Sequence, residues 1–223
     1  MRVGDSTRLD VPAGVTLDPH GDICAMASGK RVLNVGAAGN AAFYRENGAE
    51  GWLHAALNQV ATELHGLDLD GDEINVAADM GYSIVCGNCE DAKLDQTFDL
   101  IVMADVLEHV NNPGLALTNM LNHLDSGGQI VITTPNATFL GNVVNALLRR
   151  GPNVFWDHVN LYTPENIQAL CDRHGWQMGP TRMFSLNDRR SGAVRLKSLI
   201  VEMVGKVFPR LHSGFLCVIS QKS

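Results

Sequence analysis

From residue 31 onward the sequence alternates short apolar runs with stretches of helical spacing, and this alternation constrains the fold more than any other feature. A run of five or six apolar residues fits a strand covered on both faces. A helix-length connection between runs returns each strand parallel to the last. Strands are expected at 31–35 (RVLNV), 64–69 (LHGLDL), 82–86 (YSIVC), 98–103 (FDLIVM) and 129–134 (QIVITT). Helices are expected near 52–62 and 72–80, with Gly81 as a C-terminal stop, and from Asn112-Pro113, an N-cap followed by a first-turn proline. Past Pro135 the spacing lengthens. Residues 136–162 read as an insert, helical around 138–149, and a helix runs from Thr163-Pro164 to Gly175. Strands follow at 176–184 and 214–221, with a long amphipathic helix at 193–208 between them. Residues 1–29, with Pro12, Pro19 and several glycines, read as an irregular lead-in. The expected fold class is α/β: a seven-stranded, mostly parallel sheet with helices on both faces and helical inserts after strands five and six. One domain would span 1–223, with a ligand-binding core at 30–135 and inserts at 136–162 and 185–212.

Composition narrows the function classes. No run of 18 apolar residues occurs, so no transmembrane segment is expected, and residues 1–14 lack the apolar core of a secretory leader. A cytoplasmic address is the default expectation. Five cysteines, an odd number in a chain of 223 residues, argue against a disulfide framework. Cys86 and Cys89 form a C-x-x-C without the second pair that a zinc site needs. The net charge of −7 divides into +6 over 182–223, from eight basic and two acidic residues, and therefore −13 over 1–181. An acidic body excludes duplex nucleic acid as the expected partner.

The candidate site begins where the first strand ends. The turn Asn34-Val35-Gly36-Ala37-Ala38-Gly39-Asn40 lets a ligand approach backbone N–H groups. Asp68 closes the second strand, where a carboxylate takes ribose hydroxyls, with Leu69 and Asp70 beside it. The stretch FDLIVMADVLEHVNNPGLALTNMLNHLDSGGQIVITTPN at 98–136 resembles the type 11 and type 23 groups of class I methyltransferases, and the quinone-biosynthesis O-methyltransferases that share their architecture. VLNVGAAGN, GNCEDA at 87–92 and DHVNLYTPENIQALCDRHGW at 157–176 resemble further segments of those proteins, so the likeness covers roughly 31–180.

The resemblance implies S-adenosylmethionine as cofactor and a Rossmann-like sheet with its last strand antiparallel. It implies that Asn34, Gly36, Ala37, Ala38, Gly39 and Asn40 form the turn under the methionine part, that Asp68 and Leu69 hold the ribose, that Asn88, Cys89 and Glu90 flank the adenine, and that Ala104 and Asp105 line the floor where the methyl is passed. This sequence departs from the pattern at three places. Asn34 replaces the usual Asp, G-x-G-x-G becomes Gly36-x-Ala38-x-Asn40, and Asp68 follows Gly36 by 32 residues instead of about 20. The added residues 41–51, with Phe43, Tyr44, Trp52 and His54, form either a lid over the cofactor or the packing of a longer loop.

Methyl transfer from a sulfonium rests mostly on positioning, and a base is needed only where the acceptor starts protonated. His109 and His158 are the candidate bases, and for each a packing or orienting role stands beside the catalytic one. Asp105, Glu108 and His109, spaced i, i+3, i+4, are a possible divalent-metal set as in some quinone-type relatives, although no metal is the main expectation. The tail helix 193–208 carries its apolar stripe at Leu196, Leu199, Ile200, Met203, Val204, Val207 and Phe208 among basic residues, which suits packing on the sheet, a homodimer contact or a membrane surface. The expected function is methylation of a small molecule, at oxygen on a sugar, a glycolipid precursor or an aromatic ring. The rival readings are a scaffold built on a degenerate methyltransferase fold, a dehydrogenase, disfavoured by Asn40-Ala41, and RNA methylation, disfavoured by the acidic body.

Overall fold

The computed structural model describes residues 9–185, 201 and 203–222. Its strands are β1 (Ala13–Val15), β2 (Arg31–Val35), β3 (Glu63–Asp68), β4 (Ile84–Cys86), β5 (Phe98–Ala104), β6 (Leu124–Pro135), β7 (Trp176–Phe184) and β8 (Gly214–Gln221). They form one sheet in the order β1-β7-β8-β6-β5-β2-β3-β4. Only β8 runs against its neighbours β6 and β7, as the resemblance implies. The helices are α1 (Pro19–Ala27), α2 (Ala41–Asn47), α3 (Leu53–Val60), α4 (Gly71–Asp79), α5 (Pro113–Asn122), α6 (Leu140–Leu147) and α7 (Pro164–His174).

The expected sheet had seven strands and the described residues form eight. The additional strand, β1, lies in the lead-in and pairs parallel to β7 at the sheet edge. Three residues around a glycine are too short for a strand period to show in sequence. The lead-in also holds α1, where the Asp18 side chain accepts from Gly21 N at 2.9 Å and Pro19 takes the first turn. A second unexpected helix is α2, started by Asn40, whose side chain accepts from Phe43 N. β6 begins five residues earlier than expected, because Gly127 takes a φ of 79° inside the strand instead of ending it. The legible helices have the chemistry read for them. Thr163 and Asn166 make a capping box at the start of α7, and Gly175 closes it with a φ of 75°.

The sheet is covered on both faces. On one, Leu33, Ile101, Met103 and Ile130 pack against Leu117 and Met120 of α5 and Ile167 of α7. On the other, Val32, Leu100, Val102 and Val131 meet Ile23 of α1 and Leu57 of α3. Adjacent residues of β2 and β5 thus enter opposite cores, which is why those strands read as continuous apolar runs. The chain leaves β2 outward to β3 and β4 and then crosses back to β5 on the other side of β2. This reversal opens a crevice at the carboxyl ends of the strands.

Of the tail helix expected at 193–208, residues 193–200 and 202 lie outside the described residues. Residues 203–207 are helical. Val201 is buried, while Met203, Val207 and Phe208 are exposed. All five cysteines are free thiols. No helix among the described residues is long and apolar enough to cross a membrane.

Candidate active site

Two clefts, each of about 360 Å³, lie at the crevice. The first is lined by Gly36, Gly39, Asp68, Leu69 and the 87–90 turn, and the second by residues from β6, α6 and the 153–161 segment. Asp105 and His109 line both.

The turn after β2 is held from two sides. Gly36 N and Ala37 N both donate to Leu67 O of β3, at 2.8 and 3.2 Å. Asp68 Oδ2 accepts from Ala38 N at 2.9 Å and Gly39 N at 3.4 Å, and Oδ1 accepts from Asp70 N at 3.0 Å. The carboxylate therefore shapes the turn as well as facing the cleft, and Oδ1 keeps a lone pair for a further donor. Gly36 is required twice over: its φ is 72°, and a Cβ there would meet Val106 Cγ2 at 2.8 Å.

Of the other turn residues, Val35 lines the first cleft, while Asn34, Ala37, Ala38 and Asn40 do not. Ala37 and Ala38 are buried, and Asn40 caps α2. Asn34 is 3% exposed, and its Nδ2 donates to His54 Nδ1 at 3.2 Å. Burial pushes the His54 pKa down to about 4, so the ring is neutral and its Nδ1 accepts. Trp52 Nε1 donates to Ala37 O at 3.0 Å, and the indole stacks on Tyr44, with centroids 5.6 Å apart, and meets Tyr82 edge-on. Trp52 and His54 are thus packing beneath the turn, while Phe43 is exposed. Ala104 lines neither cleft; it packs against the buried cluster of α1 and α3.

The 88–90 turn faces the first cleft through a clip. Asn88 Oδ1 accepts from Glu90 N, and Glu90 Oε1 accepts from Asn111 N and Asn112 N at 3.0 and 3.2 Å. Glu90 is therefore engaged in joining this turn to the start of α5. Cys89 is buried, and its carbonyl is fixed by Asn119.

The shared floor holds the unusual electrostatics. Asp105 takes a φ of 51°, rare for a residue with a Cβ, fixed by its N–H on Thr133 O at 2.9 Å and by Thr133 Oγ1 donating to Oδ1 at 3.0 Å. Burial raises its pKa, against the Thr133 hydrogen bond and the pull of His20, His109 and His158. Glu108 is 1% exposed. Oε2 accepts from Thr134 Oγ1 at 2.9 Å, and Oε1 has no partner among the described residues. Burial, reinforced by Asp105, pushes this carboxyl up to about 8. His109 Nδ1 lies 3.3 Å from Asp157 Oδ2, and its ring packs edge-on against His158, centroids 4.7 Å apart. Burial and then the neighbouring His109 lower the pKa of His158.

The metal set read from sequence is rearranged. Residues 105–109 form a turn and not a helix, and the Asp105 carboxylate is taken by Thr133. Glu108, His109 and His158 instead bring one ligand atom each within 4.8 Å of one another. Sequence reasoning missed His20 and the residues Phe139, Asn142, Asn153 and Phe155 that line the second cleft. The last four fall inside the insert 136–162 but share no spacing that would single them out.

A family model described as a methyltransferase domain matches residues 25–179, well over half of the chain. The chain belongs to the class I S-adenosylmethionine-dependent methyltransferases. This methyltransferase is 26% identical over 175 residues to a ubiquinone biosynthesis O-methyltransferase of Azoarcus sp. (strain BH72), an alignment covering 73% of the chain and 69% of that protein. A mitochondrial counterpart from Schizosaccharomyces pombe is 24% identical over 157 residues, covering 66% of the chain and 52% of the relative. The chain thus spans between half and about two thirds of the length of such relatives. Among solved structures, a putative methyltransferase from Bacillus halodurans superposes with a TM-score of 0.61 at 14% identity, covering 92% of this chain and all of that one. The N-methyltransferase NodS from Bradyrhizobium japonicum, in complex with S-adenosyl-L-homocysteine, gives 0.57 at 13% identity, covering 92% and 87%. These two share its fold.

Proposed function

We propose that this methyltransferase methylates a hydroxyl oxygen of a small molecule, a sugar, glycolipid precursor or aromatic ring, with the cofactor in the first cleft and the acceptor in the second. The observation that carries this reading is that the two clefts meet at Asp105 and His109. An acceptor in one and a methyl donor in the other would approach each other there, the arrangement that in-line transfer needs. The O-methyltransferase relatives favour oxygen as the attacked atom.

The chain's residues fit the cofactor. Gly36 and Gly39 offer unobstructed backbone, Asp68 Oδ1 has a lone pair for a ribose hydroxyl, and the 88–90 turn borders the adenine end. When bound, the sulfonium supplies an electrophilic methyl and departs as a neutral thioether, so no acid is required of the protein. A hydroxyl acceptor must lose its proton, and His158 takes it. This ring lines the second cleft, and its lowered pKa keeps it neutral at pH 7. His109, held by Asp157, packs against His158 and positions it. Glu108, held neutral by burial, borders the second cleft and has one carboxyl oxygen without a partner among the described residues, so it can donate or accept a further hydrogen bond there. The clustering of Glu108, His109 and His158 supports a second reading, in which a divalent cation polarises the acceptor oxygen.

Calorimetry with S-adenosyl-L-homocysteine tests the cofactor half. The expected result is micromolar binding, about −8 kcal/mol, lost in Asp68→Ala. A folded wild-type protein that binds nothing would turn the reading to a scaffold. Labelled methyl transfer to a panel of sugar hydroxyls, phenols and amines tests the acceptor half, and product carrying methyl on nitrogen alone would refute it.

A further inference from the structure

The hydroxyl and amide donors around the second cleft are mostly spent within the protein. Thr134 Oγ1 donates to Glu108, Ser213 Oγ donates to Phe184 O at 3.4 Å, and Asn136 Nδ2 donates to the carbonyls of Arg210 and His212, each at 2.8 Å. Two amides of the insert, Asn142 and Asn153, line the same cleft and are spent only in part. Asn142 Nδ2 donates once, to Ala137 O at 3.1 Å, and its Oδ1 accepts from Asn153 N at 2.8 Å. Asn153 Oδ1 accepts from Asn145 Nδ2 at 3.2 Å, while its own Nδ2 has no partner among the described residues. These contacts set which end of the Asn153 amide is engaged, and the end left over is the NH2 group, with two donors. The apolar stripe of α6, Leu140, Val143, Val144 and Leu147, is not buried, so this amide network and not a core holds the wall together.

Gly141 makes room for the arrangement. It lies within α6, where any residue has an allowed backbone, so its use here is the missing side chain. A Cβ would come within 2.5 Å of Phe139 Cε1 and 3.1 Å of Asn153 Nδ2. A phenyl ring and a free NH2 group thus meet at one place on the wall. Phe155 and Phe184 add two more rings to the lining, and no lysine or arginine lines either cleft. Rings that hold a body and one or two polar groups that orient it are the usual division of labour in a small-molecule site.

We infer that Asn153 determines acceptor specificity: its Nδ2 donates to a neutral carbonyl oxygen that the acceptor carries apart from the hydroxyl to be methylated, on a body that packs against Phe139. The inference rests on the proposed place of the acceptor in the second cleft. A hydrocarbon group at this position would displace water from the NH2 group and give no bond in return. An ammonium would set donor against donor, and a carboxylate would find no cation and would share the cleft with Asp105.

Three matched phenols, bound to protein saturated with S-adenosyl-L-homocysteine and followed by NMR titration, test this. They are para-hydroxyacetophenone, para-ethylphenol and para-hydroxybenzylamine, which place a carbonyl, a hydrocarbon and an ammonium at one position. The ketone is expected to bind about fivefold more tightly than the hydrocarbon, the worth of one neutral hydrogen bond, and the amine no better than the hydrocarbon. Asn153→Leu should bring ketone and hydrocarbon within about twofold of each other. Asn153→Asp keeps an oxygen for Asn145 and should turn the preference to the amine. Gly141→Ala should weaken all three probes while the melting temperature holds, because alanine is the better helix former. All three variants should bind S-adenosyl-L-homocysteine as the wild type does. Equal wild-type binding of ketone and hydrocarbon, a preference untouched by Asn153→Leu, or a ketone preference kept by Asn153→Asp would overturn the inference. So would binding of no probe to the complex, or variants that lose the preference only together with S-adenosyl-L-homocysteine affinity, which would make Asn153 a structural residue of the insert. Probes that S-adenosyl-L-homocysteine displaces, or a wild type that does not bind it, would instead bring down the division of the two clefts and the inference with it.

Discussion

Glu108→Gln should change how stability depends on pH more than it changes stability itself. The wild-type carboxyl is pushed from 4.5 to about 8, first by burial and then by Asp105. A group whose folded pKa is raised keeps its full contribution below the unfolded pKa and loses it as pH rises through the folded one. At roughly 1.4 kcal/mol per pH unit, the span from 4.5 to 8 amounts to an erosion of about 5 kcal/mol. Water entering the cleft around the ionised group would reduce this, so 2–5 kcal/mol is the working range, on the order of a third of a typical domain stability. Glutamine keeps an oxygen for Thr134 Oγ1 and has nothing to ionise. Urea unfolding of both proteins between pH 5 and 9, with EDTA present to exclude bound cations, gives the difference between the two curves. That difference should fall by at least 2 kcal/mol as pH rises. Parallel curves, agreeing within about 1 kcal/mol across the range, would refute the buried neutral acid.

His54 should show the opposite trend. Its pKa is depressed from 6.5 to about 4, so its contribution is present above pH 6.5 and is lost as pH falls, by about 3 kcal/mol in all; His54→Gln should flatten the acid side of the unfolding curve. Trp52→Phe removes the donor to Ala37 O and should weaken S-adenosyl-L-homocysteine binding by about 1–2 kcal/mol, read by calorimetry, through its effect on the turn. Once an acceptor is found, His158→Gln should lower kcat by roughly a hundredfold or more and abolish the acid limb of the pH–rate profile, which for the wild type should lie below the ordinary histidine value near 6.5; an unchanged limb would assign the proton elsewhere. Dialysis against EDTA should leave turnover intact, and activity restored only by added Mg²⁺ or Zn²⁺ would instead assign Glu108, His109 and His158 to a cation.

Much of the site was legible because it depends on local chemistry. Asp68 at the end of β3, Gly36 after β2 and the Asn112-Pro113 start of α5 each follow from what one turn or one helix end requires, and sequence neighbours carry those requirements. The resemblance supplied the 88–90 turn and Asp105. It was less informative about which groups face the cleft. Asn34, Ala37, Ala38, Asn40 and Ala104 belong to the motif, yet their side chains turn to His54, to the core, to α2 or to the opposite face of the sheet.

The sequence by itself determined the order of the strands from 31 to 184 and of the helices there other than α2, the caps of α5 and α7 and the place of the glycine turn after β2. These rest on periodicities and backbone needs within a dozen residues. Tertiary structure alone decided that β1 joins the edge of the sheet, that Trp52 and His54 lie beneath the turn instead of over it, and that Glu108, His109 and His158 converge while Asp105 turns to Thr133. It also decided that the stripe of α6 faces outward. A stripe at helical spacing is written in sequence, but what lies opposite it is a matter of packing between segments far apart in the chain.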